Sequence, residues 1–286
     1  MPLPVARVSM LPLPPINVGV SNATLWLEAG GRGIDTTHER EAVQGDHSVR
    51  DAMAALPRLG IARSEVHVTS KVKCLPSSFN APKNAVPARD ARADALASLE
   101  LSGAQYIDLL LLWFPCKTLA QTVATYQQLE PLVSQGRVRA LGVANFNASL
   151  LEALVARVSV RPVVNQCGLS VAGHRSDQWG SSLATARRCR ELGVTYAAYS
   201  PLGRTTRVSN VLRLPAVRAA AEAHGVSPAQ VALRWLVQQG IAVVTATRSA
   251  AHMAEALAVP RFALAREEMA ALEAEPDACG QREGNP

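Results

Sequence analysis

Short runs of Val, Ile and Leu alternate along this chain with stretches in which apolar residues recur every three or four positions. The runs are Ile16–Val20, Gly33–Asp35, Val66–Lys71, Ile107–Leu112, Ala140–Ala144, Val163–Gln166, Thr195–Tyr199 and Ile241–Thr245. Most lack the polar alternation of a half-exposed strand, which predicts parallel strands buried on both faces. The stretches between them predict helices, among them 90–100, Leu119–Ser134 and Pro228–Gln239, the last with Ser227 as its N-cap. This alternation predicts an α/β protein, a single (β/α)8 TIM barrel over residues 1–286 with 1–15 and 274–286 loosely ordered. An open doubly wound sheet is the alternative, against which counts the absence of G-x-G-x-x-G after an early strand.

A barrel places its functional site at the carboxyl ends of the strands. Two irregular stretches belong at that end, Cys74–Pro87 and Val171–Gly180, the second carrying His174, Asp177 and Trp179. Both also read as variable surface loops.

Composition narrows the function classes. Hydrophobic residues make up 48% of the chain and charged ones 18%, a balance that favours a packed core over disorder. The net charge of +6 is scattered, with no basic run interleaved with aromatics, so no nucleic-acid partner is expected. The five cysteines, Cys74, Cys116, Cys167, Cys189 and Cys279, are widely spaced with no C-x-x-C pair. Neither a disulfide framework nor a metal site is expected from them, and a reducing compartment follows. No apolar stretch approaches the roughly 18 residues of a membrane span, so the expected location is cytoplasmic, with no membrane partner. Arg7 and the lack of acidic residues before Glu28 leave an organellar address open.

Several strand-end motifs then become specific. Gly-Gly-Arg-Gly-Ile-Asp-Thr at 30–36, Val68-Thr69-Ser70-Lys71, Tyr106-Ile107-Asp108-Leu109, Gly142-Val143-Ala144-Asn145-Phe146, Val164-Asn165-Gln166 and Tyr199-Ser200-Pro201-Leu202-Gly203 occur in this order. Together they resemble the aldo-keto reductase family over about Gly19 to Leu272. The resemblance implies a (β/α)8 barrel that reduces an aldehyde, ketone or related small-molecule carbonyl with NADPH (NADP), NAD being a possible second cofactor. A monomer or weak homo-oligomer is the expected state of the chain. On this chain the nicotinamide carboxamide falls to Asn145 and Gln166 and the ring to Tyr199, whose aromatic face suits a planar partner. Ser200, Leu202 and Arg204 fall beside the pyrophosphate. Past the eighth strand, Thr247, Arg248, His252 and Glu255 fall to the adenosine end, with Arg248 the cation for the 2′-phosphate because Ala246 stands where the family has lysine.

The catalytic side departs from the family pattern. Asp35 and Lys71 match the pair that lowers the pKa of a tyrosine acid, yet five residues beyond Asp35 stands Arg40, and no Tyr precedes Tyr106. The family's histidine falls on Trp113, which donates through its indole but cannot relay a proton. The segment from Asp35 to Val49 reads as a loop about three residues longer than the family pattern, carrying His38 and His47 as substitute proton donors or as solvated side chains. Three readings stay open: an NAD(P)H-dependent oxidoreductase with an altered proton-donor site; a catalytically weak nucleotide-binding or scaffold barrel; and a non-redox isomerase or lyase on the same fold.

Overall fold

Every residue of Ile107–Leu112 is buried, and its side chains divide between two cores. Leu109 and Leu111 join Ala140, Ala144, Val164, Ala197 and Ala242 in an inner cluster, against which Trp113 packs. Leu110 and Leu112 join an outer cluster with Val18, Ile34, Val68, Tyr126, Trp26 and Trp235. A strand with apolar side chains on both sides needs cover on both sides, and a closed barrel wrapped by helices supplies it.

The computed structural model describes residues 13–19, 22–74, 90–203 and 211–276. Its strands are β1 (Ile16–Gly19), β2 (Gly33–Asp35), β3 (His67–Val72), β4 (Ile107–Leu112), β5 (Val138–Ala144), β6 (Val164–Gly168), β7 (Thr195–Tyr199) and β8 (Ala242–Thr245). They pair in parallel in chain order, and β8 returns to β1 to close the barrel. The (β/α)8 expectation therefore holds and the open sheet is excluded. Boundaries shift slightly: β5 begins at Val138, and Val20 lies outside the described residues.

The helices that bear on the site are α1 (Ala23–Glu28), α2 (His38–Ala42), α3 (Ser48–Leu59), α4 (Ala91–Ser102), α5 (Leu119–Ser134), α6 (Ala148–Val155), α7 (Leu183–Glu191), α8 (Pro215–His224), α9 (Pro228–Val237), α10 (Ala250–Ala258) and α11 (Arg266–Ala274). Ser227 caps α9 as expected, accepting from the Gln230 amide while Gln230 returns a bond to the Ser227 amide. Asp90 is the cap of α4 and not its first residue, its carboxylate accepting from the Ala93 amide.

Two sequence expectations need correction. The long segment after Asp35 is not all loop, for Thr37 caps the short helix α2 by accepting from the Arg40 amide at 3.1 Å. His38 consequently sits on a helix and faces Asp94 of α4 at 3.6 Å. The cysteines are not all unpaired either: Cys74, just past β3, and Cys116, just past β4, form a disulfide across a Cα–Cα distance of 5.4 Å. Neighbouring strands bring together thiols that lie 42 residues apart in sequence, a proximity no local spacing could announce. Cys167 and Cys189 are buried free thiols.

At the amino end of the barrel, Asp108 accepts from the Val68 amide and pairs with Arg63 and Arg139, while both guanidiniums stack on the Tyr106 ring. The Tyr106-Ile107-Asp108-Leu109 motif thus locks β3 to β4 at the end away from the strand-end residues described next.

Candidate functional site

Strand pairing fixes which side chains enter the barrel. Gly33 lies opposite His67, Asp35 opposite Thr69 and Lys71 opposite Leu111, so Asp35, Lys71 and Leu111 share the inner face. Lys71 donates to Asp35 and, at 3.1 Å, to the carbonyl of Thr36. The other oxygen of Asp35 accepts from Gln166 Nε2 of β6 at 2.7 Å. All three side chains are buried, and a buried ion pair persists when its remaining lone pairs and protons are satisfied in this way.

A second chain of bonds runs along the adjoining strand ends. Asn145, immediately after β5, has φ of 65°, a left-handed conformation that Asn tolerates better than most residues. Its backbone amide donates to the Gln166 carbonyl at 3.0 Å, its Nδ2 to the Trp113 carbonyl at 2.9 Å, and its Oδ1 accepts from the Tyr199 hydroxyl at 2.9 Å. Tyr199 ends β7 opposite Gly168 of β6. A Cβ on Gly168 would lie 3.2 Å from the tyrosine ring, so the missing side chain is what lets that ring lie across the strand ends. Ser200 is also left-handed, and its carbonyl accepts from Gly203 in the tight turn that carries Leu202. Arg204 lies outside the described residues.

Beyond β8, Thr247 Oγ1 accepts from the Ser249 amide at 3.1 Å and approaches His252 Nδ1 at 3.4 Å, while Ser249 caps α10. Arg248 is exposed in this turn. Glu255 has structural work as well, accepting from Ser227 at 2.7 Å and so tying α10 to the start of α9.

Of the candidate catalytic residues, Asp35 and Lys71 are brought together, whereas the Arg40 guanidinium turns to Asp46 at 3.1–3.2 Å. Trp113 begins a row of aromatic rings, packing on Phe114 at 5.7 Å between centroids, with Phe114 edge-on to Trp179 at 5.8 Å. Two charged residues absent from the sequence expectations join this end of the barrel. Lys73, just past the end of β3, pairs with Glu39 of α2 at 2.6 Å and lies 5.8 Å from the centre of the Trp113 ring. Its place at a strand end could have pointed to Lys73, but nothing in the sequence pointed to Glu39, whose position depends on α2.

Two buried ionisable groups flank the barrel wall. Burial pushes Glu41 up to about 7 although Ser98 donates to it at 2.6 Å, and burial pushes His67, beneath Asp35 on the inner face, down to about 4. Ser98 is in turn bonded to Ser70 of β3 at 2.7 Å, on the outer face, so Glu41 lies behind the site and not in it. His174 is buried, its ring nitrogens against the carbonyls of Val171 and Glu273, which fixes the 171–180 loop beneath α11. Among the described residues no group of His, Cys, Asp or Glu is placed to hold a metal ion, and no helix is long and apolar enough to cross a membrane.

Comparison with known proteins agrees with this architecture. The profile of the Aldo/keto reductase family matches residues 23–275. An aldo-keto reductase of Mycolicibacterium smegmatis is 33% identical over 91% of this chain and 86% of its own length. A 9,11-endoperoxide prostaglandin H2 reductase of Trypanosoma cruzi is 32% identical over 87% and 80%, and a morphine 6-dehydrogenase of Pseudomonas putida 31% over 86% and 79%. Among solved structures, an aldo/keto reductase from Brucella melitensis superposes with a TM-score of 0.74 at 26% identity, covering 91% of this chain and 94% of its own. With the same closed barrel and this much identity along most of both chains, the chain belongs to the aldo/keto reductase family of oxidoreductases that act on carbonyl substrates.

Proposed function

We propose that this chain reduces an aldehyde or ketone with NADPH at the carboxyl ends of its strands, through an altered proton-donor site. The observation that carries this reading is the bonding that joins Asp35, Lys71 and Gln166 on one side and Tyr199, Asn145 and the Trp113 carbonyl on the other. Residues from several strands form one polar floor, as a bound planar ring with an amide substituent requires.

The residues present suit a nicotinamide. Gly168 clears the space that the Tyr199 ring occupies, and a planar aromatic ring at the strand ends suits stacking with a planar nicotinamide. Gln166 spends its Nε2 on Asp35 and keeps its carbonyl oxygen as an acceptor for a carboxamide N–H. The cofactor, when bound, supplies the hydride. Arg248, exposed beyond β8, is the residue placed to meet a 2′-phosphate, with Thr247 and His252 beside it.

The chain's own contribution is orientation and charge. Lys71 is held by Asp35 and Thr36 with its ammonium fixed at the barrel floor, where a positive charge stabilises negative charge developing on a carbonyl oxygen. The row Trp113, Phe114 and Trp179 walls one side with apolar surface and suits an apolar substrate body.

NADPH fluorescence titration followed by turnover assays against a panel of aldehydes, ketones and enones tests the reading. Saturable binding with reduction of at least one carbonyl is expected. Binding without turnover on any of them would favour a nucleotide-binding barrel, and failure to bind either NADPH or NADH up to millimolar concentration would remove the oxidoreductase assignment from this site.

A further inference from the structure

The geometry points to Lys73 as the group that protonates the substrate oxygen, held in place by Glu39 and Trp113; this inference rests on the carbonyl-reducing reading above. Three observations converge on it. First, Lys73 lies one residue past the end of β3 (His67–Val72), at the carboxyl end of the strand that carries Lys71. The Trp113 amide bonds to the Val72 carbonyl at 2.9 Å, which continues the β3–β4 ladder past Leu112 and sets Trp113 beside Lys73.

Second, the ammonium is positioned and not solvated at random. Its partner Glu39 lies 2.6 Å away, and the two side chains are only 24% and 19% exposed, unlike the mobile pairs of an open surface. The indole of Trp113 lies 5.8 Å from the ammonium, within cation–π reach. Among the described residues the ammonium is paired with a single carboxylate, and its three N–H groups leave donors for a substrate oxygen.

Third, the neighbouring alternatives are committed elsewhere. Lys71 is deeper and already donates to both Asp35 and Thr36, and the Arg40 guanidinium is turned to Asp46. An arginine could not release its proton in any case. His38 reaches toward Asp94 on α4.

The step balances simply. The hydride that bound NADPH would supply, itself oxidised to NADP+, adds to the carbonyl carbon, the C=O π pair moves to the oxygen, and that oxygen takes a proton from Lys73 Nζ. The product is the alcohol, with Lys73 left as a neutral amine that recovers its proton from water. Glu39 remains a carboxylate throughout and acts as a positioning residue.

Three variants decide the matter, each assayed with NADPH and an aldehyde that the wild type reduces, and each also titrated calorimetrically with benzoate, an oxyanion that needs no turnover. Lys73→Met is expected to lower kcat by about 10²-fold or more, to leave the NADPH dissociation constant within about twofold, and to abolish benzoate binding. Lys73→Arg keeps the charge but cannot give up a proton, so it should bind benzoate while staying as slow as the Met variant. Glu39→Gln should lower kcat less than either. Wild-type turnover in Lys73→Met with NADPH binding intact would overturn the inference, as would full recovery of rate in Lys73→Arg, which would show that charge alone is needed. A wild-type protein that binds NADPH and reduces no carbonyl removes the carbonyl-reducing reading itself, and the inference falls with it.

Discussion

Gln166 donates from Nε2 to the same Asp35 carboxylate that holds the Lys71 ammonium, so one buried anion fixes both the cation and the amide of the site. Gln166→Leu is therefore expected to do more than lose a cofactor contact. It leaves an Asp35 oxygen buried without its donor, at a cost of about 1–3 kcal/mol in folding stability, and it should weaken NADPH binding as well. Urea denaturation together with fluorescence titration checks both effects. A variant with unchanged stability would mean that water replaces the lost amide and that the bond contributes little.

Gly168 and Tyr199 give a sharper test of cofactor stacking. Gly168→Ala places a methyl group 3.2 Å from two ring carbons and 3.3 Å from the hydroxyl of Tyr199, closer than ordinary contact. The ring must then give by a few tenths of an ångström, which disturbs its stacking face and strains its bond to Asn145. The expected outcome is a loss of NADPH affinity larger than that of Tyr199→Phe, which removes only the hydroxyl bond, worth about 0.5–1.5 kcal/mol. Equal affinities for wild type and Gly168→Ala would show that the ring face is not used.

On the proposed reading, selectivity for the phosphorylated cofactor would rest on Arg248, exposed in the turn before α10. A charge-assisted bond to phosphate contributes about 1.5–3 kcal/mol, so Arg248→Ala should weaken NADPH by about tenfold or more and spare NADH. Parallel titrations with the two cofactors measure this, and equal losses would contradict the assignment.

Much of this arrangement was legible in the sequence, and the parts that were not share a cause. Ile107–Leu112 reads correctly residue for residue because both of its faces are buried, which leaves an apolar run interrupted only by Asp108 near the amino end. Asp35, Lys71, Asn145, Gln166 and Tyr199 are singled out by motifs that resemble the aldo-keto reductase family, and the structure puts Asp35 and Tyr199 at strand ends, Asn145 just past β5, and Lys71 and Gln166 within β3 and β6. Helix α2 escaped because His38–Ala42 is short and mostly polar; its helicity depends on the Thr37 cap and on Glu39 meeting Lys73 across the chain. The Cys74–Cys116 pair escaped for the same reason, since only the adjacency of β3 and β4 brings the two thiols together. Tertiary contacts decided these features, and local patterns carry no record of them.

The disulfide itself should contribute to stability. It closes a loop with a sequence separation of 42, for which chain-entropy reasoning gives about 4 kcal/mol and experience with disulfides about 2–4. Replacing both Cys74 and Cys116 by Ser should lower the melting temperature by roughly 3–7 °C. Wild type scanned in the presence of a thiol reductant should match the double variant. Identical melting of oxidised, reduced and substituted protein would show that the bond does not form or does not stabilise.

Glu41 and His67 make opposing predictions about stability against pH. Burial raises Glu41 from 4.5 to about 7 in the folded protein, so between those values the native state holds a proton that the unfolded chain has released, and stability falls as pH rises. Burial lowers His67 from 6.5 to about 4, so across that window the unfolded chain is the one holding the extra proton, and stability rises with pH. At about 1.4 kcal/mol per unit each effect reaches roughly 3 kcal/mol at most, and from about pH 4.5 to 6.5 the two largely cancel. Wild type should therefore be nearly flat across that range where these groups are concerned. Glu41→Gln exposes the His67 slope: its stability relative to wild type should grow from pH 4.5 to 7 and reach its full advantage above pH 7. That advantage comes from removing a carboxylate that must ionise in a buried position where Oε1 has no partner. His67→Gln should do the reverse, gaining most at low pH and nothing above pH 6.5. Urea midpoints measured at half-unit steps from pH 4.5 to 8 distinguish these outcomes. A Glu41→Gln curve that runs parallel to wild type at every pH would mean that Glu41 titrates as an ordinary carboxylate and that water reaches it behind β3.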